Sequence, residues 1–456
     1  MPPAQAPAVR SQTRSAPIYA TIWRWHCYAG LFVIPFVLIL AITGSIYLFK
    51  PQIESFEERA FQHLPVAAQV SPTQQTAAAL AAFPQAHFGN YRLPRRVGDA
   101  TMITLKLPDA KSAQVFVAPA GQVTGSLDPQ RRLAEVVKKI HSQLLLGPRG
   151  SWLVELAASW AFVLMASGLY LWWPRGRRLA GVVWPRIGAG GRVRWRDLHA
   201  VTAFWLYGLI AVLLLTSLPW TSVWGSAFQT LRSEMGWVQG APEWTLGGEP
   251  PAPADPHAGH AANSAMPVTS GAMVPAGLDA MVARAEAARL PFPVYVTPPG
   301  GMGRFGVRTG NLWTIFSDTQ NRPQQRTLTF DPHSGNLLNS RNYDGGNRID
   351  AIIGLGIAWH EGQLFGWLNQ AIGLLTALGL VGVAISGFLM WRRRQPDNPL
   401  APPIASGKST GAWVILLVLA AFLPLLALSL LILLLFDRGV RPLLAWWTGR
   451  RANAPA

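Results

Sequence analysis

Five stretches of this chain contain no Asp, Glu, Lys or Arg and are long enough to cross a lipid bilayer. They are Trp25–Phe49, Leu156–Pro174, Leu198–Leu231, Gly362–Trp391 and Ser409–Phe436. A crossing helix needs roughly 20 apolar residues. Inside the bilayer the backbone must satisfy its own hydrogen bonds, so runs of this length are read as helices. Charged residues make up 13% of the 456, against roughly 25% in an ordinary soluble domain. The expected fold class is an α-helical integral membrane protein with about five transmembrane helices. The single cysteine, Cys27, excludes an internal disulfide framework, a four-cysteine zinc or iron–sulfur site, and a Cys-x-x-Cys-His haem attachment.

Read in order, the chain begins with a tail at 1–21. Spans are expected at 22–49, 151–174, 198–224, 359–391 and 410–436. Lys50-Pro51, not a small-residue cleavage site, follows the first span, which is therefore read as a retained anchor. The loop 175–197 carries Arg175, Arg177, Arg178, Arg186, Arg192, Arg194 and Arg196 before its first acid, Asp197. The loop 392–409 carries Arg392, Arg393, Arg394 and Lys408, and the N-terminal region carries Arg10, Arg14 and Arg24. With five spans these regions share one side, and the positive-inside rule makes it the cytoplasm. The net charge of +17 is then largely a topology signal. No recognition module accompanies it, so the expected partner of the basic charge is the bilayer and not nucleic acid. The tail 437–456 falls outside, where Arg438, Arg441, Arg450 and Arg451 run against the rule.

Two long segments, 50–150 and 225–358, remain on the outer side. The first reads as a helix (Thr73–Phe83), strands (Met102–Leu107 and Gln114–Ala118), a turn (Pro119–Gly121) and a basic helical run ending at His141. The second holds a Pro/Ala/His-rich insert at 247–275. After it come a helix (Leu278–Arg289), strands at Phe292–Thr297, around Phe305–Val307, Leu312–Phe316 and Thr327–Phe330, and a turn at Asp331–Gly335. Both segments read as small α+β domains with an antiparallel sheet.

The chain is an internal duplication. His26 stands 17 residues before Thr43, and His199 stands 17 before Thr216. His141 stands 26 residues before Ser167-Gly168 and 31 before Trp172; His360 stands 26 before Ser386-Gly387 and 31 before Trp391. Gly147 and Gly366 match six residues after their histidines, and Arg175 and Arg394 match at offset 34. The plan is helix–domain–helix, twice, with a fifth helix appended.

Four of the nine histidines occupy duplicated positions. The topology puts His26 and His199 near the cytoplasmic ends of spans 1 and 3, and His141 and His360 near the outer ends of spans 2 and 4. One histidine at a membrane interface is inexpensive, because its ring reaches water. Four in two-by-two symmetry suggest two pairs, His26/His199 and His141/His360, each able to hold a haem iron from both axial sides. Such iron has no open position and is left to exchange electrons. Without a haem-attachment motif, the two expected cofactors are non-covalent haem b. Arg24, Arg194 and Arg196 near the inner pair, and Lys138, Lys139 and Arg149 near the outer one, are candidate partners for the propionates; Arg24, Arg196 and Arg149 are favoured.

Other features carry less. The pairs Thr43-Gly44, Ser167-Gly168 and Ser386-Gly387 allow close approach of a macrocycle or, more simply, of a helix. His257 and His260 are a loose metal candidate in the insert, and Cys27 reads as a buried thiol. Gly407-Lys408-Ser409 lacks the first glycine and the strand of a phosphate loop. No dinucleotide fingerprint follows a strand, so electrons must come from elsewhere, a quinol or a cytoplasmic reductase. No catalytic residue can be named.

This set of motifs resembles the PepSY-associated transmembrane helix family of bacterial inner-membrane proteins. The matching pieces are Trp25-His26 through Thr43-Gly44-Ser45, His141 through Ser167-Gly168-Leu169-Tyr170-Leu171-Trp172, Asp197-Leu198-His199, and His360-Glu361-Gly362 through Gly387 and Trp391-Arg392-Arg393-Arg394. Span 3 departs from the pattern, with Ser217 where a Thr-Gly pair is expected. The resemblance implies PepSY-type domains in both outer segments, both periplasmic. It also implies reduction of ferric iron, held as a siderophore or another ferric chelate, at the periplasmic face. Two other readings stand beside it: a non-enzymatic PepSY-domain membrane protein that binds peptides or a partner, and a transporter component.

Overall fold

The computed structural model describes residues 17–66, 68–108, 111–174, 179–237, 274–301, 303, 309–343, 348–393 and 410–440. Nearly all of the insert, with His257 and His260, the strand expected around Phe305–Val307, and Gly407-Lys408-Ser409 lie outside the described residues.

Helix α1 (Pro17–Tyr47) leads almost directly into α2 (Lys50–Glu57). Helix α3 (Pro72–Ala82) starts with Pro72 in its first turn and with a reciprocal capping box between Ser71 and Gln74. Strands β1 (His87–Arg92), β2 (Thr101–Lys106), β3 (Ser112–Val117) and β4 (Val123–Leu127) follow, then helices α4 (Leu133–Gln143) and α5 (Pro148–Trp172). The second half repeats this order. It has α6 (Gly191–Ser217), α7 (Ser222–Glu234), α8 (Leu278–Ala288), β5 (Val294–Thr297), β6 (Trp313–Ser317), β7 (Arg326–Phe330), β8 (Leu337–Asn342), α9 (Arg348–His360) and α10 (Trp367–Arg392). Two short apolar helices close the described chain, α11 (Thr410–Phe422) and α12 (Pro424–Leu435).

Among the described residues four helices are long and apolar enough to cross a membrane: α1, α5, α6 and α10. The fifth span, expected at 410–436 as one helix, is broken. Leu423 is extended (φ −118°, ψ 95°) and Pro424 starts α12. A proline has no N–H to give the helix and disfavours helical backbone in the residue before it. The pieces have 13 and 12 residues. At about 1.5 Å per residue, each falls well short of a bilayer core. Two further boundaries shift. The third span ends at Ser217, and Pro219 lies in the short turn before α7. His360 ends α9, and the membrane helix starts only at Trp367, after Gly362 and Gly366 take left-handed backbone (φ 73° and 60°).

The chain forms two compact units. One comprises Met1–Leu38, Leu156–Gly208 and Gly379–Ala456; the other comprises Ile39–Glu155 and Leu209–Leu378. The first is helical. The second contains the sheet and, in place of two separate small sheets, joins them into one. Eight strands run in the order β4-β3-β2-β1-β5-β6-β7-β8. Each half is an antiparallel meander, and the halves meet where β1 pairs with β5 through Tyr91–Val296 and Arg92–Tyr295. Alternation sends Ile103, Leu105, Val115 and Val117 to the face covered by α3 and α8, where Leu80, Leu278, Met281 and Val282 meet them. On the other face Phe61 stacks on Phe116 at 4.1 Å.

That second face also buries charge. Arg92 on β1 holds both oxygens of Glu58 (3.0 and 2.7 Å), and Arg132 reaches Glu57 (2.9 Å) and Glu58 (2.8 Å). Burial alone would raise the Glu58 carboxyl, but the hydrogen bonds and charges of Arg92 and Arg132 outweigh it and hold the group below the usual carboxylate range. Arg132 is the residue before α4, the helix that carries His141. The ion network therefore fixes the start of that helix to the end of α2.

Candidate functional site

Both histidine pairs expected from the duplication are in contact. In the first unit the rings of His26 (α1) and His199 (α6) have centroids 6.2 Å apart, with planes at 87°. In the second unit those of His141 (α4) and His360 (α9) are 6.4 Å apart, at 78°. With a metal–imidazole bond of about 2.0 Å and a ring nitrogen roughly 1.1 Å from its centroid, two imidazoles on opposite sides of one metal ion stand about 6.2 Å apart. Both pairs have that spacing.

The remaining nitrogen of each ring decides what the pair can do. His26 Nδ1 lies 2.9 Å from Ser167 Oγ on α5. Ser167 Oγ also lies 2.6 Å from the carbonyl oxygen of Val163; with its hydrogen on that carbonyl, it accepts from the histidine. The same holds for His141 and Thr43 Oγ1 on α1 (2.9 Å), where Thr43 donates to Ile39 (2.6 Å). It holds again for His360 and Thr216 Oγ1 on α6 (3.1 Å), where Thr216 donates to Val212 (2.7 Å). His199 Nδ1 meets the carbonyl oxygen of Val383 at 2.9 Å, which only accepts. The Val383 carbonyl fixes the proton of His199 on Nδ1, and with each hydroxyl hydrogen on its own helix carbonyl the other three imidazoles carry theirs there too. Each Nε2 keeps its lone pair, the form in which histidine binds metal.

Glycine makes room for three of these rings. A methyl group at Gly168 would stand 3.1 Å from Cε1 of His26; at Gly44, 3.2 Å from that of His141; at Gly387, 3.3 Å from that of His199. The small-residue pairs are therefore cradles: the glycine admits Cε1, and Nδ1 meets the hydroxyl of Ser167 or Thr43, or, for His199, the Val383 carbonyl. They work reciprocally within each half. Helix α1 gives His26 to the Ser167-Gly168 pair of α5, and receives His141 on its own Thr43-Gly44. His360 differs, since it sits on Thr216-Ser217. The ring of Trp220 lies 5.6 Å from it, tilted by 49°.

No group of three or more His, Cys, Asp or Glu side chains able to hold a metal converges among the described residues. Two imidazoles alone do not complete a protein metal centre, and a macrocycle that brings the remaining donors fits such a pair. Two buried indole N–H groups have no acceptor among the described residues, Trp195 Nε1, one turn before His199 on α6, and Trp220 Nε1 beside His360. A buried donor without a partner costs roughly 1–3 kcal/mol, so an acceptor brought by a bound group fits there. The donor set, the spacing and the orphaned indoles all fit haem.

The cation candidates divide. Arg196 is committed to Asp197, through Nε (3.1 Å) and Nη2 (2.7 Å). Asp197 is wholly buried and also accepts from Arg186 (2.7 and 3.1 Å). This clamp ties the basic loop to α6 two residues before His199. Arg24 and Arg149 have no ion pair among the described residues.

Over residues 23–394 the chain matches the model of the PepSY-associated TM region. The chain belongs to this family. It is accordingly a multi-pass membrane protein of the PepSY-associated type, and the match spans both halves of the duplication and all four histidines. No curated protein matches the chain.

Sequence reasoning located the histidines of this PepSY-associated protein but read their cradles as helix packing. The signal was there. The offsets that revealed the duplication end on Thr43, Thr216, Ser167 and Ser386. Trp220 and the Asp197 clamp left no such mark.

Proposed function

We propose that this protein is a di-haem b transmembrane electron-transfer protein of the bacterial inner membrane. It reduces ferric iron, held as a siderophore or another ferric chelate, at the periplasmic face, with both large outer segments in the periplasm. The observation that carries this reading is the pairing of the four duplicated imidazoles, His26 with His199 and His141 with His360, with ring centroids 6.2 and 6.4 Å apart and each Nδ1 within 3.1 Å of an oxygen.

Bound at both pairs, haem would supply one-electron transfer between ferric and ferrous iron. The chain's own residues do the rest. His26 with His199, and His141 with His360, would hold the two haems and leave no open iron position for oxygen. Ser167, Thr43, Thr216 and the Val383 carbonyl orient the rings. The basic loops support a topology in which the His26/His199 pair faces the electron donor, a quinol or a cytoplasmic reductase. In the same topology His141/His360 faces the ferric chelate. An electron passing outward across an inside-negative membrane gains roughly 2.3 kcal/mol per 100 mV. Ferric iron binds oxygen-rich chelators more tightly than ferrous iron, so its reduction loosens the complex.

The visible spectrum of protein purified from haem-replete cells tests this reading. Two haems b per chain are expected, with one lost in His141→Ala or His360→Ala. Colourless protein would leave a non-enzymatic PepSY-domain protein, or a transporter component, in its place.

A further inference from the structure

The basic loop region of the first unit has more cations than acids to receive them. Asp197 accepts five N–H groups, three from Arg186 and two from Arg196. A carboxylate has about four acceptor sites, so it has no capacity left. Two other guanidinium groups pack against a single indole. Arg194 lies 5.6 Å and Arg393 5.8 Å from the ring centroid of Trp195. Neither arginine has an acidic partner among the described residues, and the indole N–H they flank is buried without an acceptor. Both arginines are exposed, and two guanidinium groups at one ring beside a buried unmet donor make a surface suited to an anion.

The position of Trp195 says which anion. It precedes His199 by four residues on α6, so both side chains lie on one face of the helix, one turn apart. His199 faces His26 at 6.2 Å. A group held between those two imidazoles would thus have the indole one helical turn from the ring of His199.

We propose that Trp195, Arg194 and Arg393 form an oxyanion subsite that holds a carboxylate of the tetrapyrrole bound by His26 and His199. The indole N–H donates to the carboxylate, and the two guanidinium groups balance its charge. This rests on the haem reading above. It assigns to the inner pair two residues, Trp195 and Arg393, beyond the cations expected from sequence.

The decisive variant is Trp195→Phe, which keeps an aromatic surface for both arginines and changes no charge. The experiment is a redox titration of full-length protein in lipid nanodiscs, with the inner haem assigned by its absence from His26→Ala. A carboxylate that loses its donor binds its proton about tenfold more tightly. The pH at which the inner midpoint potential bends should therefore rise by about one unit, with the potential above that pH lower and the outer haem unmoved. Arg393→Gln should lower the inner potential as well. Two haems retained in Trp195→Phe with an unmoved inner titration would overturn the subsite and leave the haem reading intact. Loss of co-purifying anionic phospholipid in that variant, again with the titration unmoved, would give the site to a lipid headgroup and overturn the proposal likewise. Colourless wild-type protein would remove the haem reading and this inference together.

Discussion

Ser167 Oγ stands between two partners, 2.9 Å from His26 Nδ1 and 2.6 Å from the carbonyl oxygen of Val163. With its hydrogen on that carbonyl, the imidazole nitrogen brings its own proton. A side chain that looks like ordinary helix packing therefore sets the tautomer of a ring on another helix. Replacing Ser167 with Ala frees the ring to adopt either tautomer. Partners of this kind typically tune metal affinity by about 10–100-fold. Ser167→Ala should weaken haem retention at the inner pair by that order, and Thr43→Val should do the same at the outer pair. Transfer of haem to apomyoglobin measures both. Equal retention in wild type and variants would show that the hydroxyls do not orient the rings.

The glycine cradles give a steric test. Gly168→Ala places a methyl group 3.1 Å from the Cε1 atom of His26, closer than side chains ordinarily pack. The ring must shift, and inner-haem occupancy should fall. Gly382→Ala on α10 is the control, because a methyl group there meets nothing within 4 Å. It should leave both haems in place. Haem stoichiometry by pyridine haemochrome separates the two. A silent Gly168→Ala would mean that the inner ring has slack in its seat.

The ion network at α2 predicts an acid limit. The carboxyl of Glu58 titrates lower in the folded protein than in the unfolded chain. A depressed carboxylate contributes stability that is fully present above its unfolded value, about pH 4.3, and is lost as pH falls through the lower folded value. Thermal unfolding in detergent, followed by far-UV circular dichroism, should show stability flat near neutrality and falling below roughly pH 4. Glu58→Gln should flatten that fall. It should also destabilise the protein at pH 7, by about 3–5 kcal/mol if Arg92 and Arg132 are left buried without their partner. An unchanged acid profile in the variant would place the sensitivity elsewhere.

Glu155 on α5 predicts a local effect at the outer pair. Its oxygens each accept a backbone N–H from the first turn of α7, Val223 and Trp224, both at 2.8 Å. That cap holds the start of α7 just after Trp220, the residue against His360. Removing a cap typically costs about 1 kcal/mol. Glu155→Ala should lower stability by that amount or more, and should perturb the absorption of the outer haem while sparing the inner. Equal perturbation of both haems would refute a local role.

Much of this could be read along the chain, and the misses have physical reasons. Helices α3 and α8 and strands β2, β3, β5, β6 and β7 fall within a few residues of where alternation and turn chemistry place them. Strand β1, His-Phe-Gly-Asn-Tyr-Arg, was missed because glycine and asparagine have poor strand propensity. Pairing on both sides, with β2 and with β5, makes it a strand. Edge strand β8 is mostly exposed, so no buried alternation marks it. The break in the fifth span was not legible because counting apolar residues does not register the hydrogen bond that Pro424 withholds.

The sequence by itself determined the membrane class, the duplication and the identity of the four histidines. Those follow from composition and spacing, properties of the chain that no folding changes. Tertiary structure alone decided that two α+β segments share one sheet, that each imidazole Nδ1 meets an oxygen, and that an indole beside the basic loop lacks an acceptor among the described residues. Hydrogen-bond direction depends on what lies within about 3 Å. Ser167 comes within that distance of His26 although 141 residues separate them, a proximity that no linear reading contains.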